Sequence, residues 1–75
     1  MKVKTVLANF DFLGKIKIFD GEEGEEASFF GYALDCPWVY ADMYVDTTKD
    51  SEGLFVDIDA DSGRPFLGIY VREVK

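Results

Sequence analysis

The 75-residue sequence predicts an all-β domain of five or six antiparallel strands, arranged as a curled sheet or small barrel. Three observations lead there. Apolar and polar residues alternate with period two in one segment after another, the mark of half-buried strands. The last three segments fall into one consistent register through two turns. Aromatic residues make up 16% of the chain, with seven Phe, four Tyr and one Trp, and these side chains favour a pleated surface. The alternative is an α+β fold in which residues 25–34 form a helix packed on the sheet.

The elements follow in chain order. Val3, Thr5 and Leu7 alternate with Lys2 and Lys4 in a first strand. Ile16 and Ile18 alternate with Lys15 and Lys17 in a second, after a connection at Leu13-Gly14. Gly21-Glu22-Glu23-Gly24-Glu25-Glu26 reads as a solvated surface loop, since four acids and two glycines offer nothing to bury. Glu25 to Leu34 supports two readings: Ala27, Phe30 and Leu34 sit at helical spacing, while Phe30, Tyr32 and Leu34 sit at strand spacing. Gly31 and the aromatic residues favour the strand. Asp35-Cys36-Pro37 ends the segment in either case, because the residue before a proline is pushed out of the helical region. Trp38 to Thr47 then reads as a strand with Val39, Ala41, Met43 and Val45 on one face. Leu54, Val56, Ile58 and Ala60 alternate with Phe55, Asp57, Asp59 and Asp61. Leu67, Ile69 and Val71 alternate with Phe66, Gly68, Tyr70 and Arg72.

The turns suggest a register for the last three strands. If Thr48-Lys49-Asp50-Ser51-Glu52-Gly53 closes an antiparallel hairpin, Val45 faces Val56, Met43 faces Ile58 and Ala41 faces Ala60. The turn Asp61-Ser62-Gly63-Arg64-Pro65 then sets Leu67, Ile69 and Val71 opposite Ala60, Ile58 and Val56, with Pro65 at a strand start where its missing N–H is tolerated. This register buries Met43, Val45, Val56, Ile58, Ile69 and Val71 together. On the opposite face it gathers Asp42, Asp46, Asp57, Asp59 and Asp61 with Trp38, Tyr40, Tyr44, Phe55, Phe66 and Tyr70. Like charges directly opposite one another cost up to about 1 kcal/mol, so a reason beyond stability is expected for such a face.

Charge is unevenly spread. Residues 1–20 balance at +2, residues 21–61 at −11 with Lys49 as their one cation, and residues 62–75 at +2, for a net charge of −7. The acidic middle repels nucleic acids and anionic membranes, whose binding requires Lys or Arg against phosphate. No apolar run reaches the length of a secretory h-region or a membrane span. The single cysteine, Cys36, forms no internal disulfide and suits a reducing compartment. A cytoplasmic single domain over residues 1–75 is therefore expected.

Catalytic chemistry is poorly supplied. The chain has no histidine, which removes Ser-His and Cys-His mechanisms, and one Cys without His removes ordinary zinc sites. Cys36 reads as a structural thiol. Asp57-Ile58-Asp59-Ala60-Asp61-Ser62-Gly63 resembles a calcium loop in its spaced carboxylates, but its glycine comes one position late and Gly68 stands where a bidentate Glu belongs.

The functional expectation is a non-enzymatic interaction module without a cofactor. It would present Tyr40, Asp42, Tyr44, Asp46, Asp57, Asp59, Asp61 and Tyr70 to a basic protein surface. By analogy of composition alone, spaced carboxylates can stand in for a phosphate backbone, as in small acidic inhibitors from phages and mobile elements. A calcium- or small-ligand-binding module with Asp57, Asp59 and Asp61 as ligands is the alternative, and a structural homodimer closing its Tyr/Phe face on a second copy is another. Direct nucleic-acid and membrane contact are not expected.

Overall fold

The computed structural model describes residues 1–9, 14–21 and 26–72. Leu13 of the first expected connection, and most of the glutamate-rich loop, lie outside them. The fold is a small, sheet-rich α+β arrangement. Its elements are α1 (Val3–Asn9), β1 (Lys15–Phe19), β2 (Phe29–Tyr32), a 3₁₀ turn (Ala33–Asp35), α2 (Trp38–Ala41), β3 (Tyr44–Val45), a second 3₁₀ turn (Asp50–Gly53), β4 (Leu54–Ile58) and β5 (Pro65–Arg72). The sheet is mixed and open, so the expected all-antiparallel curled sheet or barrel is corrected on both counts.

The first expected strand is a helix. Val3, Val6 and Leu7 stand at i, i+3 and i+4, one face of a helical turn, and Val3 and Val6 are fully buried. Valine and threonine are mediocre helix formers; burial of that stripe, at about 1.5–3 kcal/mol for a large apolar side chain, outweighs the propensity. The chain ahead of it is clipped to β3: Lys2 bridges Tyr44, Val45 N–H donates to the Met1 carbonyl at 2.8 Å and Val3 N–H to the Met43 carbonyl at 2.9 Å. One of the helix's orphan donors is thereby satisfied.

The middle strand is also corrected. Pro37 carries the extended backbone of a helix N-cap and its carbonyl accepts from Tyr40 and Ala41 N–H, so Trp38–Ala41 coil into a short helix. Only Tyr44–Val45 remain as strand, paired with β5 at Arg72 and Val71 instead of with β4. Asp46 N–H continues the ladder to the Tyr70 carbonyl, and Leu54 resumes it opposite Ile69. β3 and β4 thus form one interrupted line along the same edge of β5, with residues 47–53 looped out between them. Gly53 closes that loop at φ +86°, where a Cβ would stand 2.5 Å from the Asp46 carbonyl oxygen.

Of the expected hairpins, the one through residues 60–63 forms. Gly63 N–H donates to the Asp59 carbonyl and Asp59 N–H to the Arg64 carbonyl, both at 2.8 Å. The register differs from expectation by four residues: Leu67 faces Val56 and Ile69 faces Leu54. An even slip preserves which side each residue faces but moves the end of β4 off the core. Val56 and Ile58 are 67% and 58% exposed, correcting their expected burial, and Met43 packs at the core's margin.

The other side of β5 pairs with β1 in parallel, Ile16 with Leu67 and Ile18 with Ile69, and β2 pairs antiparallel with β1 at the edge. One face of the sheet therefore carries Ile16, Ile18, Val45, Leu67, Ile69 and Val71 against Val3 and Val6 of α1. No buried side-chain polar atom is left without a hydrogen bond among the described residues.

Candidate functional site

The second face of the sheet follows from the same registers. Lys15, Lys17 and Phe19 of β1 stand beside Phe66, Gly68 and Tyr70 of β5. Tyr32 and Phe30 of β2 flank the lysines, and Phe55 and Asp57 of β4 flank Gly68 and Phe66. Alternation puts all of these opposite the aliphatic core. The rings touch in sequence: Phe19 stacks on Tyr70 at a centroid distance of 5.1 Å, Phe55 lies 5.7 Å from Tyr70 and 6.0 Å from Phe66, and Phe66 meets Phe30 edge-on at 6.3 Å. Gly68 makes room for this. A Cβ there would come within 2.2 Å of the Phe55 ring, so Phe55 lies across bare backbone.

Two lysines lie over the rings. Lys17 Nζ is 4.5 Å from the Phe66 centroid and 4.8 Å from that of Phe30; Lys15 Nζ is 5.2 Å from Phe30 and 5.5 Å from Tyr32. Such cation–π contacts contribute roughly 0.5–1 kcal/mol at exposed sites. Among the described residues the ion pairs are Lys2 and Lys4 with Asp42, each at 3.3 Å. Lys15, Lys17 and Arg64 have no carboxylate at ion-pair distance within that set. At one end of the face a groove of about 370 Å³ opens between Gly14, Lys15, Phe30, Tyr32, Asp59, Ser62, Arg64, Pro65 and Phe66.

The eight expected contact residues are dispersed. Tyr44, Asp57 and Tyr70 are on the second face by register. Tyr40 packs against the margin of the aliphatic core. Asp42 caps the end of α2, where hydrogen bonds from Lys2 and Lys4 hold its carboxyl below the usual carboxylate range. Asp46 accepts from the Thr48 hydroxyl at 2.6 Å and N–H at 3.1 Å, and the hydroxyl above all lowers its pKa. Asp59 takes the Ser62 hydroxyl at 2.8 Å and N–H at 3.2 Å, with the same consequence and cause. Asp61 is exposed in the turn. The expected acidic–aromatic face is therefore assembled only in part: Asp57 lies on it and Asp59 lines the groove at its end, while Asp42 is held at the end of α2 and Asp46 and Asp61 in loops.

Asp57 has a further local role. Its Oδ1 accepts the N–H of Ile58 at 2.8 Å. Because Asp59 N–H pairs inward with Arg64, ladder alternation turns Ile58 N–H to the free edge of β4, and the carboxylate occupies that donor. A charged residue spending itself on an edge blunts strand addition. No group of three metal-ligating side chains converges among the described residues, and Asp57 and Asp59 direct oxygens to backbone and serine instead. Cys36 Sγ donates to the Pro37 carbonyl at 3.6 Å, and burial raises its pKa, which disfavours the thiolate a nucleophile needs.

Phe19, Phe30, Tyr32, Lys15, Lys17 and Arg64 belong to this candidate site and were not among the contact residues expected from sequence. The Lys-Ile-Lys-Ile alternation of β1 carried part of the signal, since it turned both lysines away from the core. No helix of the described residues is long and apolar enough to cross a membrane. No protein-family model matches the chain, and no curated protein or solved structure matches it either.

Proposed function

We propose that this protein is a non-enzymatic binding module whose contact surface is the open aromatic–lysine face of the sheet, and that the partner presents negative charge beside an aromatic group. The observation that carries this reading is charge complementarity. In a chain of net charge −7, Lys15, Lys17 and Arg64 lie on or beside a run of rings that no helix of the described residues covers. None has a carboxylate at ion-pair distance among those residues, and the nearest acids, Asp57 and Asp59, are outnumbered. Aromatic residues and arginine are the side chains enriched in binding surfaces, and a sheet face is a rigid platform for them. A basic protein partner, the expectation from sequence, depended on five carboxylates sharing one face. Only Asp57 and Asp59 border the face, and both accept local hydrogen bonds, so the three cations set its charge.

Anilinonaphthalene sulfonate, an aromatic anion, is a suitable probe. Followed by amide-resolved NMR, its titration should shift residues of Lys15–Phe19, Phe29–Tyr32 and Pro65–Tyr70, and salt should weaken the effect because exposed charges are screened over about 8 Å at physiological ionic strength. Shifts confined to Val56, Ile58 and their neighbours, or to α2, would place the contact surface elsewhere.

A further inference from the structure

We infer that the groove at the Lys15–Arg64 end of the open face is a binding site for a nucleoside monophosphate, a deepening that rests on the binding-module reading above. The groove offers two kinds of chemistry side by side. Lys15 and Arg64 both line the cavity, a pairing suited to one phosphate, because Arg can bind two of its oxygens at once and Lys adds a point charge. Phe30 and Tyr32 supply ring surface that is 43% and 52% residue-exposed, and base–aromatic stacking is indifferent to which base is present. Asp59 and Ser62 line the same cavity; the Ser62 hydroxyl is spent on Asp59 Oδ2, which leaves the carboxylate to accept from a ribose hydroxyl and to keep the phosphate on the Lys15–Arg64 side.

Size and charge narrow the ligand class. A volume of about 370 Å³ sits at the small end of ligand pockets, which run about 300–1,000 Å³. It suits one nucleotide. The chain's net charge of −7 penalises a long polyanion through the summed field of the protein far more than a single phosphomonoester. Lys15 also links the two halves of the site. Its ammonium lies over the Phe30 and Tyr32 rings, and a phosphate that draws it toward Arg64 uncovers ring surface for the base. Phosphate and base therefore assist one another, and either alone binds less well.

The test is a set of NMR titrations of the whole chain with adenosine monophosphate, adenosine and inorganic phosphate in parallel. The nucleotide should shift amides at Gly14–Lys15, Phe30–Tyr32 and Ser62–Phe66 and bind at least tenfold more tightly than either half. Lys15→Gln and Arg64→Gln should each weaken it about tenfold, and Lys49→Gln should leave it unchanged. Cooperative unfolding in all three variants, with Lys15→Gln lowering the melting temperature by no more than the loss of its ring contacts, keeps a loss of binding from being a loss of fold. Equal binding of inorganic phosphate, an equal response to Lys49→Gln, or much tighter capture of a single-stranded oligonucleotide would overturn the inference. If the nucleotide fails to bind while anilinonaphthalene sulfonate still maps to the face, this inference falls and the binding-module reading stands.

Discussion

The two faces of one sheet use hydrophobic residues in opposite ways. On the first, β-branched and leucine side chains of β1, β3 and β5 close against Val3 and Val6 of α1, and Ile16, Ile18 and Ile69 are inaccessible to solvent. On the second, the apolar material is aromatic, no helix of the described residues covers it, and two lysines take the place of a second layer. They shelter Phe66 at the centre to 5% exposure, while Phe30 and Tyr32 at the rim stay exposed. Aliphatic residues gain chiefly by leaving water, which requires a lid. Aromatic rings cover one another and accept a cation on their faces, so they tolerate a wet boundary. One face holds the fold together, and the other is stable enough to remain open.

That contrast orders the effects of substitution. Ile69→Ala empties a fully buried position and should cost about 2–5 kcal/mol, a large part of the 5–15 kcal/mol typical of a domain, read from urea unfolding midpoints. Ile58→Ala, on the same side of the sheet but beyond the reach of α1, should stay within about 0.5 kcal/mol. Equal losses at the two positions would restore the register expected from sequence.

On the open face the largest effect should come from Gly68→Ala, where the new Cβ collides with the Phe55 ring. Overpacking of this kind costs about 1–3 kcal/mol. Combining it with Phe55→Ala should recover most of the loss in a double-mutant cycle; additive losses would show that the ring does not lie over Gly68. Lys17→Met keeps the aliphatic stem and deletes the charge, and should cost about 0.5–1 kcal/mol in thermal unfolding. A gain in stability would mean that the ammonium is not held by Phe30 and Phe66.

The smallest effect is a pH dependence at the loops. Asp46 and Asp59 have folded-state pKa values below the ordinary 3.8, chiefly through the Thr48 and Ser62 hydroxyls. A depressed carboxylate pKa stabilises the native state above the unfolded value, and the contribution is lost as pH falls through the lowered one. Stability should therefore decline below about pH 4, and Thr48→Val with Ser62→Ala should flatten that acid limb while changing little at pH 7 beyond the loss of three exposed hydrogen bonds. An acid limb of unchanged steepness in the double variant would remove these two carboxylates from the account.

Sequence reasoning reached some of this and missed the rest for identifiable reasons. Period-two alternation correctly located β1, β4 and β5 and correctly put Phe55, Phe66, Tyr44 and Tyr70 opposite the core, because strand parity survives an even slip in register. It misread residues 2–7, where Val3, Thr5 and Leu7 mimic a strand and Val3, Val6 and Leu7 define the helix that forms. It misses the helix Trp38–Ala41 because Pro37 both ends the segment before it and, as N-cap with its carbonyl accepting from Tyr40 and Ala41, opens the next. The parallel partnership of β1 with β5 joins segments some fifty residues apart. No turn records such a pairing, so the union of Lys15 and Lys17 with Phe66 and Tyr70 could not be read from local signals.

A neutral paramagnetic gadolinium chelate, followed through side-chain NMR signals, separates a closed sheet face from an open one. The methyl groups of Ile16, Ile18, Val45, Ile69 and Val71 should stay sharp, while the rings of Phe30 and Tyr32 and the methyls of Val56 and Ile58 broaden. Protected Val56 and Ile58 methyls, or Phe30 and Tyr32 rings as sheltered as Ile69, would contradict the account.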